Sequence, residues 1–199
     1  HLGEVNMHLA VWSRYKLQSS RRVDLPRLRE SWIRQQLNLK RAIQEVDLPV
    51  EGGGMLTLFN SHFSAFSHND GTVERQVAVL RERITHAREA GSAWIVGADL
   101  NSLPPGDDPA RLPEGPGMYP VPSPITGLFE ELEAAIPASE HDTEPQPWRT
   151  YLPPASNTAD RAIDHIFHGR QIEAHATSVV ADLHTLSDHL PLLFDFELR

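Results

Sequence analysis

The chain has 199 residues, of which 40% are hydrophobic, a formal net charge of −9 and no cysteine. This length and composition predict one soluble globular domain, and no apolar run is long enough to span a membrane. The lack of cysteine excludes disulfides and thiolate metal sites but does not indicate a compartment. Because the chain begins with His1 rather than Met, we expect a fragment or processed form, and its localisation stays unknown.

Basic charge is concentrated near the start of the chain. Residues 14–41 hold nine of the eighteen basic residues and only Asp24 and Glu30 as acids, so this stretch carries +7 and the remainder −16. Arginine predominates, and its guanidinium binds carboxylates and phosphates through paired hydrogen bonds. The stretch is therefore either a solvated face balanced by acids elsewhere in the fold, or a docking surface for a polyanion such as nucleic acid.

The first quarter of the chain predicts mainly strands. We predict a strand at 6–13, a helix or ordered loop with an apolar face at 25–37, and an alternating strand within 39–50. The glycine-rich turn at 51–54 leads into the apolar run Met55–Phe59. A hairpin is therefore predicted here.

The middle of the chain predicts one amphipathic helix and one long loop. The helix runs from Asp70 to Gly91, because apolar residues recur at intervals of three and four: Val73, Val77, Leu80, Ile84 and Ala87. A short apolar strand follows at 92–96. Eight of the sixteen prolines then fall between Pro104 and Pro124, which predicts a long irregular loop that faces substrate.

The last third predicts a short helix at 125–135 and strands at 162–168, 172–180 and 190–197. Strands and helices interleave, and neither a repeat nor a linker is evident. The predicted fold class is therefore α/β or α+β, with residues 1–199 as a single, monomeric domain.

Four polar groups of residues follow or interrupt apolar runs. They are Asn60-Ser61-His62, Gly97-Ala98-Asp99-Leu100-Asn101, Arg161-Ala162-Ile163-Asp164-His165-Ile166-Phe167 and Ser187-Asp188-His189. Because α/β folds build their sites at strand ends, we expect these side chains to meet. Carboxylates, an amide and imidazoles suit a divalent cation and a phosphate ester.

Together, these groups resemble motifs of the endonuclease/exonuclease/phosphatase superfamily of metal-dependent phosphoesterases. The first group is similar to its Asn-Thr-His motif, and the second is similar to Gly-Asp-Phe-Asn with Ala98 inserted. Ile163–Phe167 is similar to Ile-Asp-Tyr-Ile-Phe with His165 in place of Tyr, and Ser187-Asp188-His189 matches without change. Leu9–Tyr15 also resembles a strand of the family, so the resemblance extends from about residue 9 to the C-terminus.

The resemblance implies a four-layer sandwich of two mixed β-sheets flanked by helices, of which this chain would hold the C-terminal two-thirds to three-quarters. The family's first strand and its metal-binding Gln-Glu motif would lie upstream of residue 9, so we expect this chain to lack them. Gln44-Glu45 is not an equivalent, because Glu45 lies only seventeen residues before His62, across one hairpin. Glu45 instead fits the polar face of an edge hairpin.

The resemblance further implies Mg²⁺ or Mn²⁺ as cofactor and hydrolysis of a phosphodiester or phosphomonoester by activated water, without a covalent intermediate. Asp188 and Asp99 would be the carboxylates on the metal side of the site. Asp99 would also orient or deprotonate the attacking water, and Asn101 would hold that water or a phosphate oxygen.

The remaining candidates would act on the phosphate and the leaving group. His62, supported by Asn60, would donate to a non-bridging phosphate oxygen. His189 would protonate or stabilise the phosphorane, with Asp164 fixing its tautomer through a hydrogen bond. Tyr151 would line the substrate site.

Several alternatives stay open. Asp164 could instead pair with Arg161 as a structural bridge. The substrate could be nucleic acid, favoured by the basic stretch but opposed by the acidic net charge and by the lack of an evident interleaving of aromatic and basic residues. It could instead be a lipid head group or small molecule, favoured by Leu28, Trp32, Ile33 and the proline-rich loop. The chain could also be a non-catalytic module that binds phosphate or a polyanion. A zinc hydrolase using two of the histidines lacks any supporting zinc motif.

Overall fold

The computed structural model describes residues 8–31, 35, 38–65, 70–115, 117–154 and 156–199. Within these residues, the strands and α-helices follow one another in a mixed order. They are β1 (Ser19–Asp24), β2 (Ala42–Pro49), β3 (Met55–His62), α1 (Thr72–Glu89), β4 (Ala93–Asp99), α2 (Thr126–Glu131), β5 (Glu133–Ala134), α3 (Ala138–Thr143), β6 (Asp164–His168), β7 (Ile172–Val179) and β8 (Leu192–Leu198).

Six of these strands form one large sheet in the order β1-β2-β3-β4-β6-β5, and β7 and β8 form a second, smaller sheet. Only β3 and β4 run parallel, because α1 carries the chain back to the same end of the sheet before β4 begins. The other pairs are antiparallel. The mixed α/β class is thereby confirmed.

The large sheet buries both of its faces. On one face, Phe59, Trp94 and Phe167 pack with the apolar stripe of α1 and with Leu128 of α2. On the other face, Leu56 and Ile95 pack against the small sheet through Ile172, Phe194 and Phe196. The opposite face of the small sheet is exposed at Leu193, Asp195 and Glu197, so the described residues supply three of the four expected layers.

The helix predicted over 70–91 is confirmed. Its five apolar residues are all buried, and the N–H of Thr72 donates to Asp70 Oδ1 at 2.7 Å near its start. After Glu89, Gly91 adopts a φ of 73° while its N–H donates to Arg88 O and that of Ser92 donates to Ala87 O. This pair of bonds satisfies carbonyls at the end of the helix. No helix among the described residues is long and apolar enough to cross a membrane.

The hairpin and the three C-terminal strands are confirmed, but the start of the chain differs from prediction. Residues 8–13 form no strand, and Trp12 is 94% exposed; residues 6 and 7 lie outside the described residues. An apolar run becomes a strand only where another strand pairs with it, and none among the described residues does. The edge strand is β1 instead, whose polar sequence is stabilised by pairing with β2.

Two further segments were predicted only in part. Leu25 is buried as expected and the rest of 25–31 is irregular, whereas Trp32, Ile33 and Leu37 lie outside the described residues. The helix predicted over 125–135 ends at Glu131, and Glu133–Ala134 instead pairs with β6 as β5.

Glu45 is not on an exposed edge, which corrects the expectation for this residue. It is 5% exposed and faces α1, where Arg83 donates to its two carboxylate oxygens at 2.9 and 3.2 Å. Arg21 of β1 approaches the same carboxylate at 3.4 Å and also bonds Asp47 at 3.0 Å. Part of the basic stretch is therefore neutralised within the sheet, because these acids lie on the neighbouring strand.

The proline-rich loop is ordered by packing as well as by its prolines. It contains a short 3₁₀ helix, Pro109–Arg111, after which Leu112 is buried. Leu112 packs with Leu103, Ile163, Tyr119 and Tyr151. This small apolar cluster holds the loop beside the start of β6.

Candidate active site

Three of the predicted site residues lie in one row across three adjacent strands. His62 ends β3 and pairs in register with Asp99 at the end of β4, which in turn pairs with Asp164 at the start of β6. Register partners point to the same side of a sheet, so the three side chains meet. Nε2 of His62 lies 3.1 Å from Oδ2 of Asp99.

The row continues the apolar face that packs against the small sheet. Side chains alternate along a strand, so His62 follows Leu56 and Leu58 on β3, and Asp99 follows Ile95 on β4. The polar residues begin where the layer between the sheets ends. The site therefore lies at the rim of that layer, where its side chains are partly exposed.

Asn101 fixes the carboxylate of Asp99 and joins two strand ends. Its φ of 47° is left-handed, a conformation that asparagine tolerates better than most residues. In this conformation its N–H donates to Asp99 Oδ1 at 2.9 Å, and its Nδ2 donates to Phe63 O at 3.0 Å. Among the described residues, its Oδ1 makes no hydrogen bond and stays available to a water or ligand.

His189 reaches the row from the segment before β8. The N–H of Leu190 donates to Thr150 O at 2.7 Å and that of Leu152 to Asp188 O at 2.8 Å, which holds this segment against residues 150–152. Nδ1 of His189 lies 2.8 Å from Asp164 Oδ2, and its Nε2 lies 3.9 Å from Asp99 Oδ2. All five predicted catalytic residues are therefore adjacent to one another.

Tyr151 also lies at this site, as expected for a residue that lines it. Its ring packs edge-on against the His189 ring, with 5.2 Å between centroids and 70° between planes. Its backbone bridges both Arg161 and His189. Contact between its ring and substrate stays a prediction.

The alternative pairing of Asp164 with Arg161 is wrong. The guanidinium of Arg161 is bonded to Asp160 and Glu114, whereas Asp164 bonds His189. Asp164 and Arg161 are three residues apart and Asp164 opens β6, where alternation directs its side chain into the row with Asp99.

The expected support of His62 by Asn60 is also corrected. Nδ2 of Asn60 donates to Ala10 O at 3.0 Å and approaches Gln44 Oε1 at 3.5 Å. The Asn60 amide is thereby engaged away from His62, and no hydrogen bond joins these two side chains among the described residues. Asn60 therefore anchors the segment around Ala10 beside the site.

Asp188 is exposed, and Ser187 Oγ approaches its carboxylate at 3.4 Å. Its negative charge favours the protonated forms of both His62 and His189. It thus contributes to the field of the site, and its role as a metal ligand stays a prediction.

Burial and nearby charges shift the pKa values of Asp99, His189 and His62 in different directions. Burial raises the pKa of Asp99 to about 6, and the charge of Asp164 adds to this shift against the Asn101 N–H. Burial alone would lower the pKa of His189, but the hydrogen bond to Asp164 and the charges of Asp164 and Asp99 raise it. Burial, Arg41 and His189 lower the pKa of His62 to about 4.

These shifts decide how the contacts work near neutral pH. His62 is neutral there, so its 3.1 Å approach to Asp99 is not an ion pair although its distance would allow one. His189 has the higher pKa and is the imidazole that can carry a proton. One histidine is thus poised as a neutral donor and the other as an acid.

The donor set fits a divalent cation. Asp99, Asp164 and His189 each offer one ligand atom, and these atoms lie within 4.8 Å of one another. Two carboxylates and one imidazole suit Mn²⁺, and also Mg²⁺ when water or phosphate oxygens complete the coordination. The raised pKa of Asp99 agrees with this fit, because it indicates a buried acidic pair that a cation would stabilise.

Arg41 and Tyr119 are close enough to Asp99 for its charge to affect their pKa values, and neither was among the predicted site residues. Burial lowers the pKa of Arg41 while the charge of Asp99 opposes that shift, and Arg41 in turn lowers the pKa of His62. Burial raises the pKa of Tyr119, and the charge of Asp99 adds to the rise. The hairpin register offered a signal for Arg41, because Ile43 pairs with Ser61 and so brings Arg41 near the end of β3.

The fold has two sheets with helices on one face, and two carboxylates and two imidazoles meet at the strand ends. The model of the endonuclease/exonuclease/phosphatase family matches residues 9–189. The chain therefore belongs to this family of phosphoesterases. A search of curated proteins found no significant match.

Solved structures share the fold at low sequence identity. The human Nocturnin catalytic domain with bound sulfate is 18% identical at a TM-score of 0.60, with 94% of this chain and 61% of that chain covered. An endonuclease/exonuclease/phosphatase from Beutenbergia cavernae is 19% identical at a TM-score of 0.61, with 94% of this chain and 46% of that chain covered. D. rerio TDP2 complexed with single-strand DNA product is 14% identical at a TM-score of 0.56, with 92% of this chain and 68% of that chain covered. This chain thus spans about half to two-thirds of these structures.

Proposed function

We propose that this chain carries the catalytic residues of a divalent-cation-dependent phosphoesterase that hydrolyses its substrate by direct attack of water. The observation that supports this most is the position of Asp99 between His62 and the hydrogen-bonded pair of His189 and Asp164. Family membership agrees with it. No side chain in the row is a nucleophile of the serine or cysteine type, which favours water over a covalent intermediate.

Asp99 would hold the cation together with Asp164 and with Asp188 from the adjoining segment. His189 would stay off the cation, because its Nδ1 is bonded to Asp164 and its Nε2 is needed for the substrate. When bound, a divalent cation neutralises phosphate charge and lowers the pKa of a coordinated water. Asp99 would orient the attacking water and accept its proton, because its Oδ2 faces His62 and His189 at the centre of the row. Asn101 holds that carboxylate in place through its backbone N–H.

His189 and His62 would act on the phosphate itself. A carboxylate only accepts hydrogen bonds, so Asp164 places a proton on Nδ1 of His189 and directs Nε2 into the site. With its raised pKa, His189 can protonate the leaving oxygen or stabilise charge on the phosphorane. Neutral His62 can donate to a non-bridging oxygen, and the positive charge of Arg41 assists there.

Nucleic acid is the substrate class that we favour. Contrary to the expectation from sequence, exposed aromatic and basic residues do occur together here: Trp12 is 94% and Tyr15 77% exposed, and Arg14 and Lys16 flank Tyr15. The bond from Asn60 to Ala10 anchors this segment beside the row of site residues. Exposed aromatic rings interleaved with basic side chains are typical of surfaces that stack bases and contact phosphates. The DNA product bound by D. rerio TDP2 is consistent with this choice.

The activity can be tested with bis-p-nitrophenyl phosphate, a single-stranded DNA oligonucleotide and sphingomyelin vesicles, each with Mg²⁺, Mn²⁺ or EDTA. We expect turnover that requires the cation and falls at least about 100-fold in Asp99→Asn and His189→Gln. His175→Gln, on the exposed face of β7, is the matched control. Unchanged rates in both site variants would refute the proposal. Cation-dependent DNA binding with no turnover would identify a binding module instead.

The substrate class is decided by a second set of variants. Trp12→Ala and Tyr15→Ala should each weaken DNA binding by roughly 1–3 kcal/mol, and binding should weaken steeply as salt rises. Leu193→Ala removes another exposed apolar side chain, on β8, and should have no effect. Sphingomyelin hydrolysis exceeding DNA hydrolysis, with no loss of DNA binding in the aromatic variants, would favour the lipid instead.

A further inference from the structure

Arg161 is a buried charge at the centre of a network that the reaction does not itself require. Its side chain is 1% exposed, and its Nε and one terminal nitrogen bind the two oxygens of Asp160 at 2.6 and 2.9 Å. Burial lowers the pKa of Arg161, but hydrogen bonds to Asp160, Tyr119 and Glu114 outweigh it and raise the pKa. Arginine is rarely buried unless paired in this way.

On one side, Arg161 ties the proline-rich loop to the sheet. A terminal nitrogen of its guanidinium donates to both carboxylate oxygens of Glu114 at 2.9 Å, across 47 residues of sequence. The guanidinium also lies 5.7 Å from the ring of Tyr119, whose hydroxyl is 3.4 Å away. Both partners belong to the loop, whereas Arg161 lies three residues before β6.

On the other side, Arg161 supports the catalytic imidazole. Its guanidinium lies 5.1 Å from the ring of Tyr151, and that ring packs against His189. The N–H groups of Thr150 and Tyr151 donate to Arg161 O at 2.9 and 3.1 Å, so backbone as well as side chain is fixed. The contacts run without a break from Glu114 through Arg161 and Tyr151 to His189.

We propose that Arg161 is a positioning residue that couples the proline-rich loop to the orientation of His189. When Glu114 holds the loop against Arg161, Tyr151 is clamped between the guanidinium and the imidazole, and the His189 ring faces Asp99. When the loop leaves, Tyr151 loses its place in the apolar cluster with Leu112, and His189 can rotate. The part of the inference that concerns turnover rests on the proposed function, whereas the mechanical coupling does not.

Lysine could not replace Arg161 in this role. Only a planar guanidinium can bind the Asp160 carboxylate with two nitrogens, reach Glu114 and lie over an aromatic ring at the same time. Removing the Arg161 side chain also risks unfolding, because Asp160 would lose its partner. Glu114→Gln is therefore the primary variant, since it weakens only the tie to the loop and leaves Arg161 paired with Asp160.

Glu131→Gln is the matched control. Glu131 lies on α2 and pairs with Arg81 of α1 at 2.9 Å, so it takes no part in the tie between Glu114 and Arg161. The first measurement is tryptic cleavage after Arg111, which lies in the loop and precedes buried Leu112. We expect cleavage about tenfold faster in Glu114→Gln and unchanged in the control, because loss of a charge-assisted bond raises the open population by about that factor. Equal cleavage in wild type and Glu114→Gln would overturn the tether.

The second measurement is the ring-proton chemical shift of His189 at constant pH, assigned by its loss in His189→Gln. It should move in Glu114→Gln and in Arg161→Lys but not in Glu131→Gln. Faster loop cleavage with an unmoved His189 signal would show that the Glu114–Arg161 contact only holds the loop in place. That result would overturn the coupling to His189. Neither measurement needs turnover, so a protein without activity would refute the proposed function while the coupling is still decided.

If the protein is active, kcat distinguishes a role in positioning His189 from a merely structural role. Coupling predicts a several-fold lower kcat per folded molecule in Glu114→Gln, with KM for the small substrate bis-p-nitrophenyl phosphate almost unchanged. Arg161→Lys should lower kcat at least as much. A loss of folded protein with normal kcat would instead indicate a structural role and contradict the coupling.

Discussion

Nδ1 of His189 lies 2.8 Å from Oδ2 of Asp164, and this contact determines which imidazole nitrogen faces the site. The two residues are 25 positions apart, because Asp164 opens β6 of the large sheet whereas His189 lies three residues before β8 of the small sheet. The bond therefore joins the end of the large sheet to the segment that leads into β8. It is both an electrostatic link and a structural one.

Asp164→Asn should separate these two effects. An asparagine can still form a hydrogen bond but supplies no charge and can select the wrong tautomer, so we expect turnover to fall by about 10²–10⁴-fold. The pKa of His189 should fall as well, because Asp164 is the main cause of its rise. A kinetic assay and an NMR titration of His189 measure both, with exposed Asp195→Asn on β8 as control. Normal turnover in Asp164→Asn would contradict the assigned role.

Asp99→Asn should stabilise the fold while abolishing activity. The pKa of Asp99 is raised to about 6, above its ordinary value near 4, so the folded state binds its proton more tightly than the unfolded chain does. Ionisation therefore destabilises the fold above pH 6, and the penalty disappears below about pH 4. We expect the variant to gain roughly 1–3 kcal/mol at pH 7 and nothing at pH 3.5, as measured by urea unfolding without divalent cations. A less stable variant at pH 7 would reverse this sign and exclude the interpretation.

His141 should cause part of any acid unfolding. It is buried on α3, its Nε2 has no hydrogen-bond partner among the described residues, and burial with the charge of nearby His165 lowers its pKa to about 3. The unfolded chain therefore binds the proton more readily between about pH 3 and 6.5, and the stability from neutral His141 is lost as pH falls through that window.

The test for His141 is urea unfolding of His141→Leu at pH 7.5 and 4.5. The wild type should lose on the order of 2–3 kcal/mol more than the variant between these pH values. His175→Leu replaces an exposed histidine and should behave like the wild type. Equal losses in wild type and His141→Leu would show that other groups govern acid unfolding.

Arg41→Met should weaken phosphate binding without disturbing the fold. Arg41 is half-buried and its positive charge acts on both Asp99 and His62. Loss of one charge-assisted contact predicts an approximately 10–100-fold higher KM or inhibition constant for inorganic phosphate, measured by calorimetry or kinetics. The pKa of His62 should also rise, because Arg41 is one cause of its lowering. Arg22→Met on exposed β1 is the control, and an unchanged phosphate affinity in Arg41→Met would exclude Arg41 from the site.

The central row of the site could be predicted because it depends on local patterns. Asp99 follows a strand that is apolar on both faces, and His62 follows an alternating strand, so each had to lie at a strand end. Whether those ends were neighbours depended on the strand order, which the family resemblance supplied. Residues paired across adjacent strands then met without further information.

Contacts between distant segments could not be predicted in this way. Glu114 and Arg161 are 47 positions apart, with α2, β5 and α3 between them, and no periodicity specifies which acid a buried arginine will select. Glu45 shows the same difficulty, since only the packing of α1 on β2 brings Arg83 to it. Trp12 shows the converse, because its apolar run had the composition of a strand but found no partner among the described residues.

The small sheet makes the candidate active site depend on a few apolar contacts between the two sheets. A pair of strands is marginal by itself, so β7 and β8 depend on the apolar contacts of Ile172, Phe194 and Phe196 with the large sheet. His189 precedes β8 by only a few residues. Gentle heating should therefore detach this hairpin and abolish the proposed activity while α1 still gives its full circular-dichroism signal. Loss of activity should thus precede the unfolding of the helix.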